Sequence, residues 1–107
     1  MKLIINNQEL AVIVMKNYKS KLLGLMFKKE LITKAYLFTN CNGIHTFFMK
    51  QNIDVCVLDK DYKIIYLKEN IKPYFILWPI KHGKHTIELP LKTVKNLKIG
   101  QKIEVIN

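Results

Sequence analysis

The sequence predicts a mainly β domain, either a small β-barrel or a jelly-roll-like sandwich, carrying one or two short helices. Three observations lead there. Apolar residues recur mostly at a spacing of two. Strand-like runs return about every eight to twelve residues, separated by Asn, Asp, Gly or Pro. The 107 residues (1–107), half of them hydrophobic, suffice for a single domain with one modest core and no disulfide framework.

Residues 2–5 and 9–14 are β-rich runs joined by Asn6-Asn7-Gln8, a plausible hairpin turn. The best helical candidate follows. Ser20 can cap it, and Leu22, Leu23, Leu25 and Met26 give it an apolar face, with Gly24 as a weak point inside. Strands return at 35–39 and 44–49, with 40–43 as the turn between them. The run 53–58 follows and is expected to close a hairpin on 44–49 about Gln51. A turn at 59–62 leads to a strand at 63–68. The run 74–78 lies between Pro73 and Pro79, as suits an edge strand, and its aromatics are expected in the core or half in it. His82-Gly83-Lys84 is a turn, with His82 and His85 expected in solvent. Residues 85–89 form a strand, 92–97 offer one helical turn, and 102–106 a last strand after Gly100-Gln101.

The net charge of +10 raises nucleic acid as a partner. Every one of the 18 basic residues is lysine, however, and they are scattered from Lys2 to Lys102. Lysine, isoleucine and asparagine are what AT-rich codons encode. Arginine, the side chain that forks onto phosphate and guanine edges, is missing. Specific nucleic-acid binding is therefore not expected, and weak, non-specific contact is. No run approaches the ~20 apolar residues of a membrane span. The N-terminal residues do not read as a signal peptide. A cytoplasmic protein is expected, with Cys41 and Cys56 as free thiols and Cys56 buried between Val55 and Val57.

Three segments carry a family pattern. Lys21, Gly24-Leu25-Met26 and Lys28 form a basic, Gly-Leu-Met, basic signature. Cys41 to Met49 reads Cys-x-Gly-Ile-His-Thr-Phe-Phe-Met, and Ile53-Asp54-Val55 with Leu58-Asp59 continues it. Ile87-Glu88-Leu89-Pro90 and Ile99-Gly100-Gln101 form the third. In these the chain resembles the prokaryotic domain-of-unknown-function family 192, over nearly its whole length. It departs in having lysines for the family's arginines, Gln51-Asn52 for Phe-Pro and Gly100-Gln101 for Gly-Asp. The resemblance implies a compact all-β domain and no particular reaction.

Cys41, His45, Asp54 and Cys56 could carry chemistry. The composition of a Cys-His-Asp triad is present, but a triad needs a thiolate, a base in reach and an orienting acid. Structural roles for these residues are the plainer reading. The ligand types for zinc are scattered, without a Cys-x-x-Cys pair or a His-Glu-x-x-His helix, so no metal and no cofactor is expected. Ser20 is the sole serine and reads as a helix cap, so serine hydrolysis is not expected. The leading expectation is a non-enzymatic module binding a small ligand or a protein partner. Its cleft would lie between Gly24-Leu25-Met26 and the His45 strand, lined by Lys21, Lys28, His45, Thr46 and Asp54. A hydrolase using His45 and Asp54 as an acid–base pair is the alternative, with lysine-mediated nucleic-acid binding as the third. Asp54 stands in a strand apolar on both sides. It is expected to be withdrawn from water and hydrogen-bonded, with Thr46, His45, the 50–52 turn, Lys21 or Lys28 as partners.

Overall fold

The computed structural model describes residues 2–5, 8–15, 32–45 and 50–106. Nine strands and one short 3-10 turn fall within them: β1 (Lys2–Ile5), β2 (Gln8–Met15), β3 (Ala35–Phe38), β4 (Ile44–His45), β5 (Ile53–Leu58), β6 (Ile64–Ile71), β7 (Ile76–Leu77), β8 (His85–Leu89), η1 (Val94–Asn96) and β9 (Glu104–Ile106). The helical candidate after Ser20 lies outside the described residues. Among those described, no helix is long and apolar enough to cross a membrane.

Seven strands form one sheet in the order β6-β5-β8-β3-β2-β1-β9, and β4 and β7 form a separate two-stranded ribbon. Every pairing is antiparallel except β2 with β3. The sheet curls into a half-barrel whose edges approach at one end. There Ile64 N–H donates to Gln101 O (2.8 Å), Gly100 N–H to Ile64 O (2.8 Å) and Ile103 N–H to Tyr62 O (2.9 Å). Polar edge groups that would otherwise face solvent are thus paired with each other, as a barrel requires.

Strand alternation sorts side chains onto two faces. Leu3, Ile5, Val12, Leu37, Cys56, Leu58, Ile87 and Leu89 fill the concave interior, closed by Val94, Leu97 and Ile103. Tyr36, Phe38, Val55 and Val57 build a second cluster on the outer face, with Ile32 and Leu77. Ile44 of β4 and Phe75 beside β7 pack on this outer cluster. Being covered on both sides explains why every residue of β5 and of β8 is buried.

The expected hairpin of 44–49 with 53–58 does not form. β4 pairs instead with β7, Ile44 opposite Leu77 and His45 opposite Ile76. β5 lies between β6 and β8. Strands apolar on both faces belong in the middle of a sheet, and β5 meets that need only with a neighbour on each edge. Two of the three aromatics of 74–78 depart from expectation, Tyr74 being 73% exposed and Trp78 72%, whereas Phe75 packs on the outer cluster.

Candidate functional site

Asp54 is fully buried, as its apolar setting predicts. It follows Ile53 and precedes Val55, both in the outer cluster, so its carboxylate points to the interior face with Cys56 and Leu58. Its hydrogen bonds come from two distant backbone amides. Asn70 N–H donates to Oδ1 (2.9 Å) and Val94 N–H to Oδ2 (3.1 Å). Both donors need such a partner. β6 carries an extra residue opposite Ile53–Val55, a bulge in which Asn70 adopts φ +55°. Val94 opens η1, where the first amides lack partners within the turn. Asp54 therefore ties the β6 bulge and the 3-10 turn to the central strand. Burial, and secondarily the Asp54 charge, push the Cys56 thiol up to about 12, which removes it as a nucleophile.

The outer face holds a different carboxyl. Glu88 sits mid-strand in β8 with Tyr36 of β3 opposite on one side and Val55 of β5 on the other. It is 4% exposed, and among the described residues its Oε2 has no hydrogen-bond partner. Burial pushes its carboxyl up to about 8. At neutral pH it is mostly a neutral acid, able to donate its proton to an acceptor.

Two residues along the same face, Thr86 fastens the loop that enters β4. Its hydroxyl donates to Cys41 O (2.8 Å) and accepts from Gly43 N–H (3.3 Å). Asn42 adds a two-point clamp, with Ile80 N–H donating to Oδ1 (2.9 Å) and Nδ2–H donating to Ile80 O (2.7 Å). Gly43 runs at φ +100°, and a Cβ there would come 2.5 Å from Leu77 O. Only glycine allows that approach. The loop before β4 is thus fixed about two residues, or ~7 Å, along β8 from Glu88.

Of the residues singled out in the sequence, Lys21, Lys28 and Thr46 lie outside the described residues, as does the side chain of His45. Asp54 is placed on the face opposite the β4–β7 ribbon. Cys41 belongs to the outer cluster and Cys56 to the interior one, so the two thiols are on different sides of the sheet. His85, expected in solvent, is 8% exposed. Its Nδ1 accepts from Asn40 N–H (3.2 Å), and its ring centre lies 4.8 Å from that of Tyr62. Among the described residues, no three His, Cys, Asp or Glu side chains converge as metal ligands would. Glu88 escaped the sequence reading because His85–Leu89 alternates polar and apolar, like a strand with one wet face. The signal that contradicts this lies in its neighbours: β3 and β5 are apolar on both faces.

Comparison with known proteins agrees with this architecture. The chain is 32% identical over 94 residues to UPF0127 protein PH1112 of Pyrococcus horikoshii, covering 82% of this chain and 81% of that one. It is 31% identical over 94 residues to UPF0127 protein PF1050 of Pyrococcus furiosus, covering 82% and 80%. A crystal structure of a provisionally assigned transcription regulator from Sinorhizobium meliloti superposes with a TM-score of 0.79. It covers 96% of this chain and 89% of that one at 21% identity. A protein of unknown function from Novosphingobium aromaticivorans gives 0.78, covering 97% and 82% at 16% identity. These two likenesses show the shared fold. The sequence profile of family DUF192, described as an uncharacterized ACR, matches residues 1–105, and the chain belongs to that family.

Proposed function

We propose that this domain is a non-enzymatic binding module whose site lies on the outer face of the half-barrel, between Glu88 and the strand that carries His45. The observation that carries the reading is Glu88 itself, a carboxyl buried in an apolar cluster with one oxygen unpartnered among the described residues. Leaving a buried polar atom unpaired costs about 1–3 kcal/mol, a cost that binding an acceptor or an amine would offset. The ligand class is a small molecule or peptide terminus offering a carbonyl, a hydroxyl or an amine. Lys21, Lys28 and Thr46 complete the polar lining in this proposal, and the Gly24-Leu25-Met26 segment supplies its other wall. Asp54, occupied by two backbone amides, serves the frame rather than the lining.

An acid–base pair of His45 with Asp54 draws no support from this arrangement. The Asp54 carboxylate is directed to the interior face, whereas β4 packs on the outer cluster through Ile44. The test is a fragment screen on ¹⁵N-labelled protein, using small amines, amides and alcohols. Binding should shift the amides of Tyr36, Val55, Glu88 and β4, and Glu88→Gln should weaken it. Fragments that collect elsewhere, or bind the Glu88→Gln variant equally well, would overturn the site.

A further inference from the structure

β7 lies on the outer face with one side against it. Phe75 and Leu77 pack into the outer cluster, and Lys68 Nζ stands 5.3 Å from the centre of the Phe75 ring. Tyr74, in the turn that precedes β7, and Ile76 and Trp78 on the other side of it are exposed by 73%, 41% and 72%. Tyr74 holds φ +66°, a conformation uncommon for a bulky side chain. Large aromatics normally bury their surface, and exposed ones so near each other in the chain point to an interaction surface. Along the chain at this point the charge has one sign. From Asn70 to Ile87 the chain has no Asp or Glu, while Lys72, Lys81 and Lys84 fall within that stretch.

We propose that the Tyr74–Trp78 stripe is a stacking platform for single-stranded nucleic acid, bound without sequence preference. The two flat rings supply faces for unpaired bases, and the lysines supply charge for the phosphates. A duplex keeps its base faces stacked inside and cannot use the rings. Lysine meets phosphate as a point charge and lacks the fork that reads guanine, so the platform has no means of reading sequence. An acidic peptide would answer the charge but not the two aromatic faces. An anionic membrane surface would answer both, yet a single partly exposed isoleucine between the rings is a small apolar area for interfacial insertion. This surface faces solvent from the ribbon and does not depend on the Glu88 site.

Trp78 is the only tryptophan in the chain, so its fluorescence reports on the platform alone. The full chain is titrated with a short oligothymidylate, the matching duplex, and vesicles containing anionic phospholipid, at about 50 and about 200 mM salt. The single strand should quench Trp78 saturably, more weakly at the higher salt, and the duplex should leave it unchanged. Trp78→Ala and Tyr74→Ala, followed by the anisotropy of a labelled strand, should each weaken binding roughly tenfold or more. Trp78 is 72% exposed, so Trp78→Ala should keep the melting temperature and circular dichroism of the parent. Binding without quenching, variants that bind like the parent, or no binding at about 50 mM salt would each overturn the proposal. So would a blue-shifted emission with vesicles alone, which would assign the stripe to a membrane surface.

Discussion

Asp54→Asn tests the frame that holds β5, β6 and η1 together. The carboxylate is fully buried and accepts from Asn70 N–H at 2.9 Å and Val94 N–H at 3.1 Å. Asparagine retains one oxygen and turns the other position into an NH₂ donor, which then faces an N–H donor. One charge-assisted bond is lost, and one buried amide is left without an acceptor, each of order 1–3 kcal/mol. Because the two losses overlap, the expected destabilisation is about 2–4 kcal/mol. A domain of this size has roughly 5–15 kcal/mol to lose. With a urea slope of about 1–3 kcal/mol/M, the midpoint should fall by roughly 1–3 M at constant slope. Urea denaturation followed by circular dichroism measures it, with the exposed Asp61→Asn as control, expected to shift by under about 0.5 kcal/mol. An Asp54→Asn midpoint indistinguishable from that control would refute the claim that this carboxylate ties β6 and η1 to β5. Amide exchange adds a local readout, since the Asn70 and Val94 amides should lose protection first.

Glu88 should make stability fall with rising pH. Its carboxyl is near 8 in the folded chain against an ordinary 4.5, so between those values the folded state holds a proton that the unfolded chain has released. Its contribution is complete below about 4.5, lost progressively up to about 8, and flat above. Glu88→Gln should remove this slope in melts taken across that range, and a slope unchanged in the variant would assign it elsewhere. Cys56, with its thiol near 12 and no exposed surface, should resist alkylation in the native state while the part-exposed Cys41 is modified. Mass spectrometry of the alkylated protein shows which thiol reacts first. Gly43→Ala forces a Cβ against Leu77 O at φ +100°, whereas Gly100→Ala at φ +93° meets nothing within 4 Å. Thermal melts should rank Gly43→Ala as the more damaging by more than about 1 kcal/mol.

What the sequence discloses and what it hides follow a physical division. Strands β5 and β8 were legible to the residue, because Ile53-Asp54-Val55-Cys56-Val57-Leu58 and His85-Thr86-Ile87-Glu88-Leu89 are bounded by turn formers and carry β-branched residues. The burial of Asp54 was legible for the same reason: its neighbours on both faces are apolar. Its partners were not. They sit 16 and 40 positions away, and both are backbone amides, which leave no trace in side-chain patterns. The pairing of β4 failed because proximity in sequence favours a hairpin with the next strand. The two-sided apolar character of β5 instead demands strands along both its edges, and β8 takes the place that a hairpin would have given to β4. The exposure of Tyr74 and Trp78 is hidden from the sequence for a related reason. The strand here is only Ile76–Leu77, Tyr74 turns into it at φ +66°, and which side meets water depends on Phe75 and Leu77 finding the outer cluster.

The two buried carboxyls differ in what holds them within the fold. Asp54 and Glu88 occupy neighbouring central strands, on opposite faces of the sheet. Asp54 has both oxygens on amides that would otherwise be unpaired. Its loss should weaken the fold, as worked out above. Glu88 has the reverse balance: apolar neighbours, an oxygen without a partner among the described residues, and a raised proton affinity. A fold optimised only for stability would place an apolar residue there, since replacing an unsatisfied buried polar group by a packed hydrophobe is neutral or stabilising. Glu88→Leu should therefore raise the melting temperature while abolishing fragment binding at the outer face. That opposite movement of stability and binding is what separates a site residue from a frame residue. A Glu88→Leu chain that melts lower than the parent would show that the carboxyl holds the fold together, and would leave the outer face without its anchor.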